Sequence, residues 1–168
     1  IEDRLKKLAA LKKAGINPYP LRVRKRTPIE SVKTSFDAFA KSRKKVFLAG
    51  RLVSVRDQGG VLFADLKDES GSIQLVFKKD NLKNFEFFKT TLDRGDFYGA
   101  QGILFKTKKG EESLEVKEYD LLSKSIRPIP TDWFGIEDVE TRLRKRHLDI
   151  LLNPEAKAIF HKKAIFWN

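Results

Sequence analysis

The stretch VFLAGRLVSVRDQGGVLFADLKDESGSIQLVF, residues 46–77, decides how the rest of the chain is read, because it resolves into three β-strands separated by two glycine turns. Along 61–67, alternation places Leu62, Ala64 and Leu66 on one face and Val61, Phe63, Asp65 and Lys67 on the other. Along 72–78 the same rule turns Ile73, Leu75 and Phe77 inward, and Ser72, Gln74, Val76 and Lys78 outward. If both inner faces share one core, Phe63 and Gln74 emerge on the same outer surface. The preceding strand, from about Val46 to Asp57, is apolar in both phases and broken by Gly50. That pattern suits a long strand that coils and serves two parts of a small barrel. Alternation assigns neither Arg51 nor Arg56 to a face.

Downstream the period changes and then changes back. Asp80 is a good N-cap, and Leu82, Phe85, Phe88 and Leu92 recur at three or four residues, which predicts a short helix. Residues 97–107 then read as a fourth strand, with Gly99 and Gly102 permitting strong curvature. A turn at Lys108 to Gly110 leads to a fifth strand over 112–122, with a bulge expected between Val116 and Tyr119. Three strands, a helix and two strands give a mainly β chain with flanking helices, in the order of the OB-fold. That fold is a five-stranded Greek-key barrel, which commonly binds oligonucleotides on its strand-two and strand-three face. The plainer alternative is a β-meander with a passing helix.

Around this barrel, assigned to 45–125, lie a basic extension at 1–44 and a C-terminal region. Residues 1–45 carry 14 Lys/Arg against 4 Asp/Glu, whereas the remainder is nearly balanced within a net charge of +12. Such asymmetry is the footprint of a nucleic-acid partner, with a merely soluble basic surface as the alternative. Residues 2–14 form an amphipathic helix with Leu5, Leu8 and Leu11 on one side and Gly15 as its stop. After NPYP (17–20) and the basic LRVRKRT (21–27), a second helix is expected to start with Thr27 as N-cap and Pro28 in the first turn. It would bury Ile29, Val32, Phe36 and Phe39 and end near Ser42. Residues 126–152 read as a linker region whose later part, 137–152, is helical. Asn153 and Pro154 then open a further helix over 153–168.

Several function classes drop out. The absence of cysteine removes disulfides, thiolate metal sites and cysteine nucleophiles, and favours an intracellular address. His147 and His161 lie 14 residues apart without partners, so no metal site is read. No phosphate-binding glycine loop, convincing nucleophile–base pair, membrane-length apolar run or signal peptide is present, so no catalytic residue is assigned. Four residues remain as candidates for nucleic-acid binding. An exposed Phe63 can stack an unpaired base, although a twist of its strand would tuck it under the N-terminal helix. The Gln74 amide can read a base edge, Arg56 can hold a phosphate or a base, and Glu111 beside Gly110 can accept from a base. Each of the last three is also an ordinary surface side chain.

The strings GINPYP, AGRLVSVRDQGGVLFADLKDESGSIQ, LDRGDFYGAQGILFKTKKGEESLEV, LLSKSIRPIP and DVETRLRKRHLDILLNPEA together resemble the N-terminal third of class II lysyl-tRNA synthetases. The middle string alone would also fit the aspartyl and asparaginyl enzymes; FKTKKGE, LLSKSIRPIP and RLRKRHLDILLNP favour lysyl. Gly60, where many lysyl enzymes carry lysine, and Lys163, usually arginine, depart from the pattern.

The resemblance implies an anticodon-binding barrel in which Phe63 stacks the middle uridine and Gln74 reads its edge, with Arg56 and Glu111 at the family's arginine and glutamate positions. It implies tRNA as partner, a cytoplasmic setting and a helix at 153–168 that begins the class II catalytic domain. The parent would be a homodimer that uses ATP and magnesium. This chain, lacking motifs 2 and 3, would hold no cofactor and catalyse nothing, and it could self-associate through 154–168. A stand-alone single-strand-binding OB module is the competing expectation.

Overall fold

The computed structural model describes residues 1–130 and 138–167. They form two compact units, Ile1–Pro128 and Ile129–Asn168. The first contains the helix α1 (Glu2–Lys13), the short helices α2 (Ile29–Thr34) and α3 (Phe36–Ser42), and strands β1 (Val46–Gln58), β2 (Val61–Lys67) and β3 (Ser72–Lys78). After a 3₁₀ turn come α4 (Phe85–Thr91), β4 (Phe97–Lys106) and β5 (Glu112–Ser123). The strands close in the order β1-β2-β3-β5-β4. All neighbours are antiparallel except β3 and β5, which run parallel.

The two-phase pattern of β1 has the expected origin. Val46 to Arg51 pair with β4, Arg51 to Gln58 pair with β2, and the register shifts between Leu52 and Ser54. The bulge expected in β5 falls at Lys117, between the pairs Gly102↔Val116 and Gln101↔Glu118. Gly102 is required there for close approach, because a Cβ would land on the Glu115 carbonyl. The interior holds Leu48, Leu52, Leu62, Ala64, Leu66 and Leu75, all fully buried. Fully burying such a side chain stabilises a fold by roughly 1.5–3 kcal/mol.

Helix ends explain several departures from the sequence pattern. Gly15, at φ +74, completes a Schellman stop for α1, in which Ile16 N donates to Leu11 O and Gly15 N to Lys12 O, each at 3.0 Å. The expected single helix to Ser42 is broken at Ser35, and Thr27 does not cap it. The cap comes instead from the β2–β3 turn: Ile29 N donates to Asp68 Oδ2 and Glu30 N to Ser70 Oγ, both at 3.1 Å. Alternation along one segment cannot reveal a cap supplied about 40 residues away. Asp80 likewise does not cap α4, since it lies inside the 3₁₀ turn and Asn84, at φ +62, precedes the helix. Phe85, Phe88 and Leu92 are buried as expected.

Where α4, α1 and the end of β5 meet, Lys124 is completely buried. Its ammonium donates to Thr91 O at 2.8 Å, Asp93 Oδ2 at 2.5 Å and Asp96 Oδ2 at 2.8 Å. Lys7 of α1 joins the cluster through Asp93 Oδ1 at 2.8 Å. Arg4 donates to the carbonyls of Arg94 and Ser125. The basic helix is thereby fastened to the barrel.

In the second unit, the expected helix 137–152 is two, α5 (Val139–Arg144) and α6 (Arg146–Leu152), broken at Lys145. A buried Asp149 accepts from Arg142 Nε at 2.8 Å and Arg146 at 2.6 Å, which holds the bend. The part of the expected linker at 131–137, and Glu137 of the expected helix, lie outside the described residues. Asn153 Oδ1 caps α7 (Pro154–Trp167) by accepting from Glu155 N at 3.0 Å. Ile165, Phe166 and Trp167 are exposed.

Candidate nucleic-acid interface

The outer face of β1, β2, β3 and the start of β5 brings the four candidates onto one connected surface. Arg56 sits opposite Phe63 across the β1–β2 ladder, and Phe63 sits opposite Val76 across β2–β3. One step along, Asp65 is opposite Gln74, so Phe63 and Gln74 are diagonal neighbours. Phe63 is partly exposed. It is not tucked under α1, which packs on α4 instead. Val76, expected outside, is on the outer face as its register requires, yet only 2% exposed, between Phe63 on β2 and Glu115 on β5.

Hydrogen bonds connect what the strands bring together. The Arg56 guanidinium lies 3.5 Å from Asp65 Oδ1, and Ser54 Oγ donates to Asp65 Oδ2. With more than half of its side chain exposed, Arg56 is aimed by Asp65 and still open to a ligand. On the other side, Ser113 Oγ lies 3.1 Å from Gln74 Oε1 and 3.2 Å from Glu111 O, within donating reach of both. A donor at the Gln74 carbonyl leaves its NH₂ end available. The hairpin carrying Glu111 is pinned by Thr107 N to Glu111 O at 2.9 Å and by Gly110 in a left-handed turn. The Glu111 side chain itself is exposed.

Residues that alternation did not single out complete this face. Asp65, Ser54 and Ser113 orient the candidates, and no single-strand pattern announces them because each acts across a ladder. Glu115, beside Val76, accepts from Lys117 Nζ at 2.6 Å and Asn81 Nδ2 at 2.8 Å. The Lys117 hydrogen bond holds its carboxyl below the ordinary range. The face therefore offers a ring, an amide, a guanidinium and anchored carboxylates. That set suits unpaired bases better than a uniform anion, because stacking and edge hydrogen bonds accompany the charge. Among the described residues no cluster suited to a metal ion occurs, and no helix is long and apolar enough to cross a membrane.

Comparison with known proteins decides the class of this barrel. Residues 46–126 match the family described as OB-fold nucleic acid binding domain. The barrel is an OB-fold domain. The whole chain is homologous to lysine–tRNA ligases. It is 44% identical to lysine–tRNA ligase 2 of Methanosarcina acetivorans over 162 residues, which is 95% of this chain and 32% of the relative. It is 43% identical to the lysine–tRNA ligase of Syntrophomonas wolfei, over 96% of this chain and 32% of that protein. The match to the Aquifex aeolicus lysine–tRNA ligase is 44% over 79% of this chain and 22% of the relative. The chain thus spans about a third of the length of the first two relatives. These matches favour the lysyl reading over the aspartyl and asparaginyl one and over a stand-alone module.

Proposed function

We propose that this OB-fold domain binds the anticodon of lysine tRNA as the N-terminal part of a lysine–tRNA ligase. The observation that carries the reading is the continuous outer surface from Arg56 through Phe63 and Gln74 to Glu111, held in register by Asp65 and Ser113. Phe63 stacks a base, which contributes ~1–3 kcal/mol. The free amide of Gln74 reads that base's edge, Glu111 accepts from a neighbouring base and Arg56 holds a phosphate or base. The exposed lysines of α1 add salt-dependent affinity. The parent enzyme joins lysine to tRNA with ATP and magnesium in the cytoplasm as a homodimer; the present chain alone is not active. The exposed apolar residues of α7 then belong against the rest of the parent, and in isolation they drive self-association.

An ATP-dependent lysine-charging assay with this chain should show no turnover, and charging by it would overturn the inactivity. Light scattering should show a concentration-dependent mass that becomes constant when 154–168 are deleted. Binding is tested by fluorescence anisotropy of an anticodon stem-loop bearing UUU against the same hairpin with a changed middle base. Equal affinity for the two would withdraw the roles given to Phe63 and Gln74.

A further inference from the structure

A second concavity lies away from the RNA face. Its strand residues Tyr98, Tyr119 and Leu121 sit at the end of the β4–β5 ladder opposite the Glu111 hairpin. The cavity measures about 620 Å³ and is bounded by these residues, by α4 and by the arm around Arg22 and Val23. That volume falls within the roughly 300–1,000 Å³ of small-molecule sites. Its floor is aromatic: the Phe88 ring lies 4.2 Å from Tyr119 and 5.6 Å from Tyr98, centroid to centroid.

Two features make it more than a packing gap. Neither the hydroxyl of Tyr98 nor that of half-buried Tyr119 has a hydrogen-bond partner among the described residues, and neither oxygen is sealed from solvent, so each is left to bond to what enters the cavity. Burial, with Asp96 adding to it, pushes the Tyr98 phenol far above its ordinary value, so it remains a donor. At the mouth, Arg24 is held by Asp120 at 2.6 Å and lies over the Phe47 ring. Arg22 is exposed and has no ion-pair partner among the described residues.

We propose that this cavity binds a flat aromatic molecule carrying one anionic group. The ring lies against Phe88 and Tyr119, an acceptor meets the Tyr98 phenol, and the anion turns to Arg22. The site is separate from the anticodon surface and stands or falls without it.

The test uses 1-anilinonaphthalene-8-sulfonate, an aromatic sulfonate, titrated into the full 168-residue chain by fluorescence, with amide shifts followed by NMR. One saturable site is expected, with shifts at Tyr98 and Tyr119. Arg22→Gln should weaken it about tenfold, as loss of one charge-assisted hydrogen bond does. Val23→Trp, at a half-exposed position, should narrow the cavity and weaken binding at least as much. Phe166→Ser in the exposed part of α7 should change nothing. Binding that ignores Val23→Trp and vanishes in Phe166→Ser would overturn the proposal, as would shifts confined to Phe63 and Gln74.

Discussion

The barrel unit holds two clusters built from the same ingredients, carboxylates and cations, and they differ in what water can reach. At the α1–α4 end, Lys124 and Asp96 are wholly excluded from solvent and every hydrogen-bonding atom of the ammonium is used. On the β1–β2 face, Arg56 spends one contact on Asp65 and leaves most of its guanidinium in solvent. A closed cluster has nothing left to offer a ligand, so its role is to fasten α1 and the end of β5 to the barrel. An open one is positioned but unsaturated, which is what a binding surface requires.

The sharpest way to break this comparison is to remove the cation from the closed cluster. Lys124→Met leaves the buried Asp96 without its partner and Asp93 with Lys7 alone, and breaking a buried pair in this way costs ~3–5 kcal/mol. Urea denaturation should show a midpoint lowered accordingly, and an unchanged midpoint would mean the cluster is not structural. A smaller loss is expected at Asp68, whose carboxylate caps α2 from the β2–β3 turn. Asp68→Ala should cost about 1–2 kcal/mol.

The same residue gives a pH signature. Burial raises the Asp68 carboxyl, but hydrogen bonds from the Ser70 hydroxyl and from the Ile29, Gly71 and Ser70 amides outweigh it, and the net shift is downward. A carboxyl lower in the folded state than in the unfolded one stabilises the fold above its unfolded value, near 3.9, and that contribution fades as pH falls through the folded value. Wild type should therefore lose stability on acidification to about pH 2–3 more steeply than Asp68→Asn. Parallel acid limbs for the two would remove Asp68 from this role.

Changes on the open face should leave stability alone and act on RNA. Phe63→Ala should weaken an anticodon stem-loop by ~1–3 kcal/mol at any salt concentration, with an unfolding midpoint close to wild type. A large drop in midpoint would reassign Phe63 to packing. Substituting Ser at Lys12 and Lys13 should have the smallest effect, lowering affinity at low salt and reducing the slope of log K against log salt by at most about 2. An unchanged slope would take α1 out of the contact.

Much of this was legible along the chain. The period-two pattern of 61–67 and 72–78 put Phe63 and Gln74 on one face, and the double apolar phase of 46–57 announced a strand shared by two ladders. What escaped was everything settled across strands or between distant segments. Asp65 and Ser113 matter because of the residues opposite them, Asp68 caps a helix far earlier in sequence, and Lys124 looks like any lysine until three acceptors are folded around it. The broken helices at Ser35 and Lys145 escaped for a related reason. Their apolar spacing is helical throughout, and the bends are held by side chains outside the repeat, such as Asp149. Val76 shows the limit of alternation: it lies on the predicted face, but neighbours on both sides cover it.

The central claim is that the open face reads bases rather than charge. The most direct measurement is the affinity of a stem-loop with anticodon UUU against one with UCU, each at low and at physiological salt. Base readout by this face gives a preference for UUU that survives the higher salt and is lost in Gln74→Leu. Equal affinities that fall together as salt rises would contradict it, and would leave the barrel as a basic surface without base readout.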